Sequence, residues 1–260
     1  MRRLIGMVII SLLCCGSVST SHAFPKQLHI GKQQEYPPYI FEQDGKTVGI
    51  CAELAEAAFA VLGISVTYTQ YPFLRMLEYG KTGDVDAVML VFKTPEREAY
   101  LSYPEQELFY EENSFFTKKD AQISYAGNLE DLKAYTIGVI SGFSYGEMFD
   151  QATYLKKDFT LNDELLVKKL LVDRFKIGVG SKYVISYHAQ KMGELENITF
   201  LEPNLFDKNP LYIGFSKARP GYEELTIKVS EALETLKRTG QYQRILQKYH
   251  VEISDEDMKK

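Results

Sequence analysis

The sequence predicts an α/β protein of two lobes, and three observations carry the prediction. Short apolar or alternating runs that read as strands take turns with segments of helical period along the chain, and alternating elements build layered α/β structure with mostly parallel sheets. A β-α-β-α-β succession is complete by residue 92, and a second alternation begins near residue 118. The 260 residues, 45% hydrophobic and 25% charged, suffice for one large domain or two ordinary lobes and exclude a disordered, collagenous or coiled-coil chain.

Residues 1–23 read as a secretory signal peptide. Arg2 and Arg3 precede an apolar run over residues 4–13, and Ser21-His22-Ala23 fits a small-x-small cleavage site. The run is too short for a membrane span. Cys14 and Cys15 invite a lipoprotein reading, but Leu13 or Cys14 stands where such a signal carries Gly or Ala. Removing the segment deletes two positive charges, takes the formal net charge from −5 to −7 and leaves Cys51 as the one cysteine. No internal disulfide is then expected. Cys51 lies on an apolar helical pattern and reads as a small buried hydrophobe. The segment predicts export from the cytoplasm.

The elements follow in order. Residues 28–31 form a short strand, and Tyr36-Pro37-Pro38-Tyr39 a turn. Residues 50–62 place Leu54, Ala55, Ala58, Phe59 and Leu62 at helical spacing, closed by Gly63. Residues 65–71 alternate and are rich in Thr and Tyr, which suits a strand. Pro72 opens a short helix that Gly80 ends, and residues 87–92 are a continuous apolar strand of the kind buried on both faces.

The second alternation has strands at 114–117, 136–140, 177–180 and 198–201. Its helices lie at 128–132 (capped by Asn128), 145–149, 162–172 and 181–191. A strand at 211–215 follows. Leu225, Val229, Ala232, Leu233 and Leu236 then mark a long amphipathic helix, and Tyr242, Ile245, Leu246 and Tyr249 another beyond Gly240. Residues 253–260 are a charged tail.

Several chemistries lack their signatures. No basic block points to nucleic acid. The four histidines, His22, His29, His188 and His250, are not at metal-ligand spacing, so no metal and no cofactor is expected. No phosphate loop occurs.

A set of short motifs runs along the chain. It begins with Tyr36-Pro37-Pro38-Tyr39 followed by Gly49 and a helix, then Gly83-Asp84-Val85-Asp86-Ala87, Thr94-Pro95-Glu96-Arg97 and Tyr103-Pro104. Ile137-Gly138-Val139 with Ser141-Gly142 comes next, and Ala232-Leu233, Gly240, Ile245 and Lys248-Tyr249 close it. In these, from about residue 26 to 250, the chain resembles the bacterial periplasmic solute-binding proteins of the polar amino-acid type, family 3, receptors of ABC importers. The resemblance implies a type II periplasmic-binding-protein fold, two α/β lobes with a ligand cleft between them. Lobe 1 would comprise residues 24–114 plus 212–252, lobe 2 residues 115–211, with crossing strands near 115–118 and 211. It further implies a monomer that closes on a small solute and delivers it to an ABC permease at the inner membrane.

Fold does not fix function, so the site is argued from residues. Arg97 offers a planar fork that matches a carboxylate, and the resemblance places the ligand carboxylate there, with Thr94 in the same motif; the alternative is surface pairing with Glu96 or Glu98. Ser141, Gly142 and Ser144 precede a short helix, where backbone N–H groups can hold an anion, or they form an ordinary capping turn. Tyr36, Tyr39, Phe73 and Phe92 are candidates for the cleft wall, against a default of core packing. The chain departs from the family at Ser181, which falls where an acidic residue usually pairs the ligand ammonium, and at Leu90, Val91 and Phe92, where Ser or Thr is usual.

The expected function is a non-enzymatic receptor for a small carboxylated solute. The alternatives are an enzyme on the same fold, like the periplasmic cyclohexadienyl dehydratases, which needs a buried carboxyl as general acid, and a ligand-sensing accessory protein.

Overall fold

A computed structural model describes residues 25–204 and 209–249. The expected signal peptide and the charged tail lie outside the described residues.

The chain opens with β1 (Gln27–Lys32), a hairpin of β2 (Phe41–Gln43) and β3 (Lys46–Val48), α1 (Ile50–Val61), β4 (Ser65–Gln70), α2 (Phe73–Thr82) and β5 (Ala87–Val91). It continues through α3 (Pro95–Glu98), β6 (Leu101–Ser102), β7 (Phe109–Glu111) and β8 (Asn113–Lys118). Next come β9 (Thr136–Ile140), α4 (Glu147–Asp150), β10 (Lys156–Thr160), α5 (Asp163–Leu171), β11 (Ile177–Ser181), α6 (Lys182–Lys191) and β12 (Ile198–Phe200). The described residues close with β13 (Asn209–Ser216), α7 (Tyr222–Arg238) and α8 (Gln241–Lys248), and short 3-10 turns occupy Leu129–Leu132 and Leu195–Asn197.

Two sheets result. The first runs β4-β1-β5-β13-β6, with β7 also paired to β13, and the second runs β10-β9-β11-β8-β12. Each is parallel at one side, through β1, β4 and β5 or through β9, β10 and β11. Each is antiparallel where the chain crosses between lobes, at β13 and β8. The link is a narrow ribbon, in which Phe109 to Glu111 pair with Leu211 to Asn209.

Burial explains the elements. All five residues of β5 are buried, as expected for a strand with neighbours on both edges and helices on both faces. In β8, Phe115 and Phe116 point to opposite faces, and each joins a different core cluster of the second lobe. A fully buried Phe contributes about 1.5–3 kcal/mol, so this pair anchors both layers. Beneath them, Gly138 of β9 and Gly178 of β11 are register partners. A Cβ on Gly138 would lie 2.2 Å from the Phe175 ring, and one on Gly178 2.4 Å from the Phe116 ring. The two glycines leave a floor on which those rings lie.

Some elements differ from the sequence expectation. The hairpin was not anticipated, although Asp44-Gly45 sits at its turn with φ of 52° and 72°, the backbone a type I′ turn requires. β10 is an edge strand with Lys156 and Lys157 in it; its charges obscure the strand pattern and protect the edge. Gly80 does not end α2. It is buried within the helix, where an added Cβ would lie 3.0 Å from Val88, and Gly83, with φ of 83°, is the left-handed C-cap. The helix expected at 145–149 is the single turn α4.

Candidate functional site

The loops at the carboxyl ends of β1, β4 and β5 face those of β9 and β10, the place where open α/β sheets take ligands. At the centre of this junction is Arg97. Thr94 caps α3, its hydroxyl accepting from the Arg97 N–H at 3.3 Å, with Pro95 as the first helical residue. This turn sends the Arg97 side chain inward, where the residue is 5% exposed. Nη1 donates to the Phe92 carbonyl oxygen at 3.0 Å, and Nη2 to the Gly142 carbonyl oxygen of the other lobe at 2.9 Å. The guanidinium carbon lies 5.5 Å from the Phe73 ring centre, within cation–π range. Burial lowers the Arg97 pKa from its ordinary value, yet no carboxylate among the described residues pairs with it. Glu98 instead pairs with Lys93 at 3.3 Å.

Phe143, from the turn after β9, fills the middle of the junction and packs against the core clusters of both lobes. Its ring lies 4.5 Å from Phe73 and 6.3 Å from Tyr36, edge-on in both cases. It also divides the cleft. On one side is an open cavity of about 990 Å³ lined by Phe92, Thr94, Arg97, Gly142, Phe143 and Ser144. On the other is a cavity of about 300 Å³ lined by Tyr36, Tyr71, Phe73, Phe143, Asp163 and His188, among others.

Two buried carboxyls lie on the side of the smaller cavity. Glu111 of the crossing strand β7 is 3% exposed. It accepts from the Tyr36 hydroxyl at 2.6 Å and from Asn113 Nδ2 at 3.3 Å. Burial pushes its pKa up to about 7 against those hydrogen bonds. Asp163 opens α5, behind an Asn162 side chain that caps the helix by accepting from the Leu165 N–H at 2.9 Å. Asp163 is 5% exposed, and its Oδ1 is buried with no hydrogen-bond partner. Burial, and then the charge of Glu111, push its pKa up to about 8. Asn162 Nδ2 also donates to Gln34 Oε1 of the other lobe at 3.0 Å.

The residues singled out from sequence divide into two groups. Tyr36, Phe73, Phe92, Thr94, Arg97, Gly142 and Ser144 line one cavity or the other. Tyr39, Ser141 and Ser181 line neither. Tyr39 is fully buried, and its hydroxyl lies 3.4 Å from Ser181 Oγ behind the cavity wall. The backbone of the 141–146 turn is largely engaged within its own lobe. Ser141 N–H donates to the Thr160 carbonyl at 2.8 Å, Tyr145 N–H to Asp150 Oδ1 at 2.9 Å, and Ser144 Oγ to Asp150 Oδ2 at 2.5 Å. Gly142 turns its carbonyl, rather than its N–H, toward Arg97.

Glu111, Phe143 and Asp163 escaped the sequence reading. Glu111 stands in a polar Tyr110-Glu111-Glu112-Asn113 stretch, and Asp163 is an ordinary first-turn acid behind an Asn cap. Phe143 lies between Gly142 and Ser144, already marked as a turn. Among the described residues, no group of three His, Cys, Asp or Glu side chains converges to hold a metal. Cys51 is a free, buried thiol, and no helix among the described residues is long and apolar enough to cross a membrane.

Comparison with known proteins agrees with this architecture. The family model of bacterial extracellular solute-binding proteins, family 3, matches residues 28–252. The arginine-binding extracellular protein ArtP of Bacillus subtilis is 25% identical over 249 residues, covering 93% of each chain. Among solved structures, a histidine kinase sensor domain similar to periplasmic binding proteins superposes with a TM-score of 0.76 at 22% identity, over 86% of this chain and 95% of that one. An ancestral arginine-binding protein bound to arginine gives 0.75 at 24% identity, over 86% and 98%.

Proposed function

The chain belongs to family 3 of the bacterial extracellular solute-binding proteins, and on that premise we propose that it is a periplasmic, monomeric receptor of an ABC importer, binding a small carboxylated solute, an amino acid or a relative of one. The lobes, residues 24–114 with 212–252 and residues 115–211, close over the solute by rotation about the crossing ribbon. Arg97 takes the carboxylate. The observation that carries the reading is a buried guanidinium, in the cleft, held by one carbonyl from each lobe and by no carboxylate. It has five N–H donors, two of them engaged by those carbonyls, and a ligand carboxylate supplies the countercharge. Arginine binding by ArtP supports an amino-acid-like solute.

A thermal-melt screen of the ligand-stripped protein tests this, with amino acids, di- and tricarboxylates, small peptides and polyamines as the panel. A ligand at 1,000 times its Kd adds about 4 kcal/mol, a rise on the order of 8–16 °C for a chain of this size. A large rise confined to carboxylate-bearing compounds is the expected result. No shift with any of them overturns the reading.

The buried acids favour a second reading. A general acid at neutral pH needs a carboxyl with a raised pKa, and Glu111 and Asp163 both meet that requirement. Incubation with prephenate or arogenate separates the readings: product formation favours the enzyme, and unchanged substrate the receptor.

A further inference from the structure

We propose that Phe143 is the chain's own occupant of the cleft, a tethered competitor whose ring fills the space between the lobes and must be displaced by any solute that uses that space. The inference goes beyond the receptor reading and rests on it for the existence of a displacing solute.

Two contacts made by neighbouring residues carry it. The Phe143 ring, borne by the second lobe, meets two rings of the first, Phe73 at 4.5 Å and Tyr36 at 6.3 Å. One residue earlier, the Gly142 carbonyl oxygen accepts from Arg97 Nη2 at 2.9 Å. An apolar group and an oxygen acceptor a few bonds apart are what a small carboxylated solute would present to the same residues. The segment therefore imitates a solute, with a phenyl ring as its side group and a peptide carbonyl as its carboxylate. The imitation stops short in charge. A carbonyl is neutral, and a guanidinium bonds more strongly to a carboxylate. At the ring end the advantage is reversed, because a tethered group competes at a high effective concentration.

The surroundings fit a seated ring. Phe143 is only half-buried, yet it packs against core clusters of both lobes. Gly142 lies so close to α2 that an added Cβ would fall 2.2 Å from Leu74 Cδ2. Gly142 and Gly146 bound the turn with φ of 81° and 89°, backbone states that glycine adopts at no steric cost. Beyond the ring, Ser144 Oγ and the Tyr145 N–H are both bonded to Asp150, so Phe143 travels with the second lobe. Opening of the lobes withdraws it from Phe73 and Tyr36, and closure then takes in either the ring or a solute. The apparent affinity for a solute that needs this space falls in proportion to the fraction of protein that is not self-filled.

Calorimetry on the whole protein and on Phe143→Ala tests the proposal, with 3-phenylpropionate, 3-phenylpropanol and propionate as probes. The two aryl compounds can take the place of the missing ring. Both should bind the variant at least about tenfold more tightly than they bind wild type, and propionate should gain less than either. Unchanged affinity for the two aryl compounds overturns the inference. Preference of the variant for 3-phenylpropionate over 3-phenylpropanol bears on Arg97 alone: a gain for both without that preference supports the tethered competitor and counts against the carboxylate reading. Small-angle scattering of the unliganded wild-type protein gives a readout that needs no variant. The ring contact should hold the lobes together, with the radius of gyration of the closed structure. A distinctly larger radius overturns the inference even where Phe143→Ala does not fold. Neither readout uses the native solute, so failure here leaves the receptor reading to the melt screen.

Discussion

Nη2 of Arg97, carried by the first lobe, lies 2.9 Å from the carbonyl oxygen of Gly142 on the second. The same side chain reaches back to Phe92 of its own lobe, so one guanidinium spans the junction. A charge-assisted hydrogen bond of this kind is stronger than a neutral one, and it connects lobe closure to whatever occupies the Arg97 side of the cleft.

Arg97→Ala should therefore weaken binding of a carboxylate ligand by about 2–5 kcal/mol, read by calorimetry. Arg97→Lys keeps the charge but not the fork and should recover only part of that loss. Equal affinity in all three proteins would remove Arg97 from the site.

Phe143→Ala should merge the two cavities into one. The ring is half-buried, so the stability cost should fall below the roughly 3–5 kcal/mol of a fully buried Phe→Ala change. Chemical denaturation measures it. A loss above that range would make the ring a core residue first and a cleft residue second.

The pKa of Glu111 is raised from the ordinary carboxylate value to about 7, so the folded state holds its proton where the unfolded chain has lost it. The resulting stability is fully present below the unfolded pKa and is lost as pH rises through about 7. Glu111→Gln has no proton to lose, so it should gain relative to wild type between pH 5 and pH 8 in urea unfolding. A difference independent of pH would show that Glu111 does not titrate there.

Gly138→Ala and Gly178→Ala should each destabilise the second lobe by about 1–3 kcal/mol or more through overpacking, because each Cβ meets a buried aromatic ring at 2.2–2.4 Å. Gly193→Ala, where no atom lies within 4 Å but φ is 75°, should lose stability through backbone strain alone. Trimming Phe175 should rescue Gly138→Ala and leave Gly193→Ala unchanged.

The legible part of the fold was the part written in periodicity. The apolar strand at β5, the helical spacing of α1 and α7 and the Asn128 cap each depend on residues close in sequence. β10 was missed because an edge strand is half solvated and carries lysines. The site was legible only where a motif marked it: Thr94-Pro95-Glu96-Arg97 carries its own turn and cap. Glu111 and Asp163 become unusual only through burial, and their burial is made by residues far away in the chain, Tyr36 for one and Gly180 for the other. No local pattern encodes that. Ser181 shows the converse: it occupies a position of expected interest, yet the rings and strands around it place it behind the wall.

The order of strands also sets an order of assembly. Every strand of the second sheet lies between residues 113 and 200, so that lobe can complete its hydrogen-bond ladder from contiguous chain. The first sheet cannot. β13 sits inside it, pairing Tyr212 with Val91 and Phe215 with Ser102, and α1 packs on α7 and α8. Both contacts close across the whole inserted lobe, and such distant pairings are slow to form. During synthesis the inserted lobe should mature first, while the flanking half waits as an exposed partial sheet until β13, from Asn209 onward, arrives.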